Sequence, residues 1–366
     1  MKNSFGSSVS VTLYGESHGA AVGCVLDGMA PGISVDEGYL AKQMSLRRSV
    51  SSLSTPRKEA DKVRILSGVY QGKTTGTPIC MMIENGNTHS ADYAKTADLL
   101  RPGHADYTAR IKYHGYADPN GGGHFSGRIT AGLVAAGAIA LTALREKGIV
   151  IGTHIAACGG VCDRPFSPDP RAELEALADA PFAVLDEAAS TAMQAKIIEA
   201  RAAGDSVGGI LESAVCGLPA GVGEPWFDTL ESVLSHILFS IPAVKGVEFG
   251  DGFALSAMRG SEANDPFRIE NGAVVTSTNR MGGILGGISN GMPLRIRTAI
   301  KPTPSISLSQ PSVNMATGEN EEISVVGRHD PAIVHRARVV ADSAIALVLC
   351  DMLSLRFGTD YLKPND

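Results

Sequence analysis

The chain has 366 residues, 44% hydrophobic and only 19% charged, so it can bury a large core. A formal charge of −6 excludes a nucleic-acid binder held by bulk electrostatics, so any phosphate recognition must be local. The amino end, MKNSFGSSVSVTLYG, lacks the apolar run of a secretory signal, and six scattered cysteines in apolar surroundings read as reduced thiols, which makes a soluble cytosolic protein the expectation.

In chain order, VSVTL (9–13) and PICMMI (78–83) have the β-branched or alternating pattern of strands. A helix is expected over 127–146; its apolar run AGLVAAGAIALTAL (131–144) is too short to span a bilayer and reads as buried. Further helices are expected over 171–203 and 335–356, with the strand PLRIRTAI (293–300) between them. In the last helix Ala332, Val339, Ala346 and Leu349 build an apolar face above Arg336 and Asp342. Strands and helices do not alternate regularly, which points to an α+β fold and away from a doubly wound parallel sheet. A faint repeat supports this: VLDGMAPGI (25–33) is echoed by AVCGLPAGV (214–222), and LSGVYQGKTTGTPI (66–79) by LGGISNGMPL (285–294) in the same order. The expectation is one domain over 1–366 made of two pseudo-symmetric halves, with the boundary near 160–205.

Four stretches carry residues suited to chemistry. Gly15-Glu16-Ser17-His18-Gly19 matches G-x-S-x-G, the nucleophile elbow of serine hydrolases. That elbow tops a strand in the middle of a built sheet, whereas only sixteen residues precede Ser17, so the turn reads better as one that presents His18. The second stretch is RPGHADYTARIKYHGYADPNGGGHFSGR (101–128). It puts His104 on a turn and sets His124, Ser126 and Arg128 at a glycine-rich helix start, which is either an anion site or a plain turn. In LRRSVSSLSTPRKEADK (46–62), Arg47, Arg48, Arg57 and Lys58 lie among hydroxyls that suit phosphate or carboxylate, or else form a solvated charged surface. KPTPSIS (301–307) and GRHDPAIVHRA (327–337) bring Lys301, Thr303, Ser305, Arg328 and Asp330, where Asp330 can guide a proton or simply pair with arginine. His154, Cys158 and Cys162 have a loose metal-ligand look, but Gly159-Gly160 breaks the helix that would align them.

With these blocks in view the chain closely resembles the chorismate synthase family. The matching stretches, in the family's order, are YGESHG, ILSGVYQGKTTGTPI, RPGHADYT, GGGHFSGR, GDSVGGI, SIPAVKGVEFGDGF, GGILGGISNGMP, KPTPSI and GRHDP. The resemblance implies an α+β sandwich of sheets and helices with two related subdomains, usually assembled as a homotetramer. It implies 1,4-elimination of phosphate from 5-enolpyruvylshikimate 3-phosphate to give chorismate. It also implies a requirement for reduced FMN, which lends electron density as phosphate leaves, with NADPH as a reductant in some members.

Carried onto this sequence, the resemblance makes His18 and His104 the catalytic histidines, supported by Ser17 and Ser126, with Asp330 assisting proton removal. FMN contacts would come from His124, Phe125, Ser126, Pro242, Ala243, Gly286, Lys301, Pro302, Thr303, Pro304, Ser305 and Arg328, and Arg47 matches a position associated with NADPH. Arg48, Arg57, Arg101 and Arg128 would hold the substrate's anionic groups. The chain departs from the family where Arg-Ser-Ser becomes His124-Phe125-Ser126 and where Arg-Arg-Pro-Gly becomes Arg47-Arg48-Ser49-Val50. A non-enzymatic flavin-binding protein is the rival class; it would have no use for both histidines and the arginine cluster.

Overall fold

A computed structural model describes residues 2–48, 61–86, 98–325 and 330–364. In the first half, β1 (Ser4–Phe5), β2 (Ser10–Gly15) and β3 (Ala21–Asp27) lead to helix α1 (Glu37–Leu46), and β4 (Val63–Ile65) follows. A small hairpin, β5 (Val69–Tyr70) and β6 (Lys73–Thr74), precedes β7 (Ile79–Glu84). Helices α2 (Asp106–Lys112) and α3 (Thr130–Glu146) complete this half. The sheet order is β1-β2-β3-β7-β4, and every pairing is antiparallel. The alternation in β7 buries Ile79, Met81 and Ile83 on one face, as a period of two requires.

The second half contains β8 (Val150–Cys158), β9 (Val161–Cys162), α4 (Arg171–Leu177), α5 (Glu187–Ala202), β10 (Gly209–Cys216), α6 (Leu230–Ser240) and β11 (Val244–Phe249). After α7 (Gly260–Ala263) come two hairpins, β12–β13 (Phe267–Glu270, Ala273–Thr276) and β14–β15 (Ile284–Leu285, Ile288–Ser289). The half ends with β16 (Leu294–Ile300), the hairpin β17–β18 (Gln310–Asn314, Glu319–Ile323) and helix α8 (Val334–Phe357). Its sheet order is β11-β16-β10-β8-β9, again antiparallel.

The sequence echoes occupy matching places in these two sheets. The turn after β3 and the turn after β10 each begin with a glycine of positive φ, Gly28 at 80° and Gly217 at 86°, followed by a buried Met29 or Leu218. Each is followed by a helix, α1 or α6, and each small hairpin leads into the strand beside β3 or β10. Helix α3 packs on the first sheet, α8 on the second, and the two helices pack on each other between the sheets. They approach closely at Gly137, where a Cβ would sit 2.2 Å from Cβ of Ser343. Both helices are core and are buried nearly all round: α3 is apolar on almost every side, whereas α8 also buries His335, Arg338, Asp342 and Asp351.

Three expectations need correction. The helix expected over 171–203 is two helices, α4 and α5, separated by 178–186; Pro181 lacks an N–H for a continuous helix, and Asp186 caps the second by accepting from Ala189 N. Gly127–Glu146 is long and apolar enough to cross a membrane once its leading 3-10 turn is counted, but most of it is buried inside the protein. Asp342, assigned to the polar face of α8, is buried and accepts from Thr153 Oγ1 at 2.6 Å. Burial pushes its carboxyl up to about 6, against the pull of Arg338 and that hydroxyl.

Candidate active site

Between the two halves lies a cavity of about 880 Å³, near the upper end of the usual range for small-molecule sites. The first half contributes the amino end, the end of α1, and residues around 103–105 and 124–133; the second contributes 236–245, 301–305 and the start of α8. Apolar side chains such as Leu13, Ile129, Leu133, Ile237 and Ile333 form much of the wall. Seven cations line it (Lys2, Arg47, Arg48, Arg128, Lys245, Lys301, Arg336), against two carboxylates, Asp61 and Asp330, among the described residues. In a chain of net charge −6 this is a local concentration of positive charge.

His104 sits on the turn that opens α2 and lines the cavity. Its Nδ1 lies 2.8 Å from Oδ1 of Asp106, and Arg101 grips the same carboxylate. Arg101 itself is not on the cavity wall. Lys301 reaches across to donate to Gly103 O, joining the KPTPS loop to the RPGH turn. Burial, together with the charge of Lys245, brings the Lys301 ammonium below its usual range.

The YGESHG stretch is a strand-turn-strand connection from β2 to β3. The helix that follows a nucleophile elbow is absent here, so the hydrolase reading fails on context. Ser17 Oγ is 3.0 Å from His18 Nδ1, and Gly122 N donates to the same oxygen at 3.4 Å. Ser17 N donates to Gly123 O, and His124 Nδ1 donates to Gly15 O at 2.8 Å. These bonds zip the Gly15–Gly19 turn to the glycine-rich 121–126 turn. His124, Phe125 and Ser126 line the cavity, and Ser17 and His18 pack against that 121–126 turn. Ser126 caps the short turn before α3 by accepting from Arg128 N, and the Phe125 ring packs edge-on to Tyr113.

The arginines are engaged with the protein itself. Asp61 pairs with both Arg47 and Arg128, at 3.0 Å from Arg47 Nη1. Arg47 also donates to Gly127 O and Thr130 Oγ1, and Arg128 to Asn85 Oδ1. Arg48 lines the cavity beside them. Arg57 and Arg328 lie outside the described residues.

On the other wall, Pro242 and Ala243 follow α6, and Ala243 has φ +75, a left-handed value that only glycine adopts easily. Lys301 N holds this conformation by donating to Ala243 O at 2.9 Å. Thr303, Pro304 and Ser305 line the cavity; Pro302 packs toward Gly208 instead. Thr303 Oγ1 is buried and has no hydrogen-bond partner among the described residues. Gly286 is on the β14–β15 turn, with open space around it, and is not part of the wall. Asp330 pairs with Arg336 on the cavity side of α8.

Arg336, His236 and Lys245 are wall residues that the motif reading did not single out. Arg336 follows Asp330 by six residues, the one sequence hint of its role. His154 sends both ring nitrogens to carboxylates, 2.9 Å to Asp163 and 2.7 Å to Glu212, which ties the 163–186 segment to the sheet. Cys158 is buried and Cys162 exposed.

A sequence model of chorismate synthase matches residues 9–354. Among curated proteins, the chorismate synthases of Dehalococcoides mccartyi and Methanosarcina acetivorans are each 47% identical, over 98% and 99% of this chain and 98% of each relative. That of Thermococcus kodakarensis is 46% identical over 96% of this chain and 97% of its own. A crystal structure of chorismate synthase superposes with a TM-score of 0.76 at 27% identity, covering 96% of this chain and 94% of that one. The chain belongs to the chorismate synthase family, the carbon–oxygen lyases that form chorismate in the shikimate pathway.

Proposed function

We propose that the cavity holds reduced FMN and 5-enolpyruvylshikimate 3-phosphate together, and that His18 and His104 carry the protons of the elimination. The observation that carries this reading is the cluster of seven cations on an apolar-walled cavity in an acidic chain. The residues present fit a flavin: the apolar wall accepts a flat ring system, and the unpartnered Thr303 hydroxyl offers a hydrogen bond to its polar edge. Bound there, reduced flavin supplies transient electron density as the bond to phosphate breaks.

The protein's own contribution is charge and proton control. His124, Ser126, Lys301, Thr303 and Ser305 supply donors for the cofactor, with Pro242 and Ala243 as its wall. Arg48 and Arg336 face the cavity for the substrate's anionic groups, while Asp61 keeps Arg47 and Arg128 in fixed positions beside them. Asp330, which also lines the cavity, assists removal of the ring proton. Closing both ligands into one cavity excludes water and strengthens each of these interactions.

A homotetramer is the assembly we propose, supported by exposed Trp226, Phe227, Phe253 and Phe267, which a solitary chain would leave in water. The test of function is anaerobic incubation with photoreduced FMN and the substrate, following chorismate and phosphate. Flavin binding without either product would favour the non-enzymatic rival.

A further inference from the structure

Arg101-Pro102-Gly103-His104-Ala105-Asp106 folds back on itself at the start of α2. Four contacts converge on the Asp106 carboxylate. Oδ2 accepts from the backbone N–H of Arg101 at 2.9 Å and from its Nε at 2.8 Å. Oδ1 accepts from Arg101 Nη2 at 2.7 Å and lies 2.8 Å from His104 Nδ1. All three side chains are mostly buried, at 15–20% exposure. Burial alone would raise the Asp106 carboxyl, but the hydrogen bonds from His104 and Arg101 outweigh it and hold the group well below the usual carboxylate range.

An ionised carboxylate is an acceptor only, so a ring nitrogen 2.8 Å from it must carry a hydrogen. Arg101 Nη2 is also 3.2 Å from Nδ1, but its shorter contact is to Asp106, and a protonated Nδ1 cannot accept from it. The tautomer of His104 is therefore set by its neighbour: hydrogen on Nδ1, with Nε2 left for the cavity that the ring lines.

We propose that Asp106 is the positioning residue of His104, and that Arg101 acts by holding this carboxylate in place and not by clamping substrate. The inference rests on His104 being a proton carrier. Only the N–H bond at Nε2 then breaks or forms during turnover. Nδ1 keeps its hydrogen throughout, and no proton passes to Asp106.

The test uses Asp106→Asn in the full-length protein. Arg101 presents donors and requires the amide oxygen of the asparagine, so the amide NH2 is left facing Nδ1. The neutral ring must then accept at Nδ1 and move its hydrogen to Nε2. Nitrogen-15 NMR of histidine-labelled protein, with the His104 signal assigned by its loss in His104→Gln, should show the Nδ1–H tautomer in the parent and Nε2–H in Asp106→Asn. With substrate and reduced FMN, kcat should fall about 10²–10⁴-fold while KM changes little. Asp106→Glu, which restores the charge, should recover the Nδ1–H signal. An unchanged tautomer in Asp106→Asn overturns the proposal. So does Arg101→Lys if it weakens substrate binding more than tenfold and leaves kcat intact, because Arg101 would then be a substrate clamp. Normal turnover by His104→Gln would instead remove the proton-carrier reading, and the tautomer measurement would still decide the Asp106 assignment.

Discussion

The His18 ring packs directly on the backbone of Gly121: a Cβ at residue 121 would lie 2.3 Å from Cε1 and 2.5 Å from Nδ1 of that ring. Gly121 also has φ +65, so both its conformation and its lack of a side chain are used. Gly121→Ala should displace His18 and reduce turnover as His18→Ala does, by about 10²–10⁴-fold if the ring is a positioned acid. Steady-state rates with reduced FMN, beside circular dichroism to verify folding, measure this. A folded Gly121→Ala with parental turnover would show that the position of His18 is unimportant. Ser17→Ala should be milder, and a serine-directed phosphonate should not label Ser17.

Asp61 bridges Arg47 and Arg128 with its side chain 4% exposed. Removing one member of a buried pair strands the others, at a cost on the order of 3 kcal/mol. Asn is the substitution of choice because Asp61 has φ +37, a region that Asn tolerates. The exposed Lys42–Asp179 pair is the control, since Lys42→Ala should cost no more than about 1 kcal/mol. Chemical denaturation of both variants gives the comparison; equal small losses would mean that the Asp61 pairs do not stabilise the fold.

His335 is 1% exposed, and both of its ring nitrogens are without a partner among the described residues. Burial brings its pKa down to about 4, the charge of Arg336 adding to the effect and that of Asp330 partly offsetting it. The folded state then binds fewer protons than the unfolded one between pH 4 and the ordinary histidine value of 6.5. The stability linked to this group is complete above pH 6.5 and is lost as pH falls through 4. Asp342 acts in the opposite sense: with a folded pKa of about 6 against 3.8, its linked stability is present at low pH and is lost as pH rises toward 6. Urea midpoints at acid and neutral pH should show His335→Leu flattening the acid loss. Asp342→Asn should gain on the parent as pH rises. Parallel pH profiles for all three proteins would reject both assignments.

Thr303 lines the cavity, and its buried Oγ1 has no partner among the described residues. Leaving such a group unsatisfied costs about 1–3 kcal/mol, so Thr303→Val should leave the ligand-free protein as stable or more stable. If the hydroxyl hydrogen-bonds bound flavin, the same change should weaken reduced FMN binding by about 2–10-fold. Thermal unfolding and anaerobic flavin titration report the two effects separately. Undiminished flavin affinity would place the cofactor's polar edge elsewhere.

The strands and core helices are legible in local pattern, because alternation in ICMMIE and LRIRTAI and the unbroken apolarity of 131–144 admit few other ways to bury those side chains. The ordered motifs of the sequence also pointed to the chemistry and to His104, His124, Ser126, Lys301, Thr303 and Asp330, all of which line the same cavity. It could not separate a buried polar residue from an exposed one on α8, since the periodicity that marks Asp342 as polar is silent about the second sheet covering it. Nor could it show that Asp106 and Asp61 organise the histidine and the arginines. Tertiary packing within the first half brings residues 47, 61 and 128 together, and the packing of the two halves against one another sets the 101–106 turn beside residue 301; neither shows in any local pattern. Charge and hydrogen-bond partners there arise from contacts between segments far apart in the chain, so they follow from the folded packing and not from local pattern.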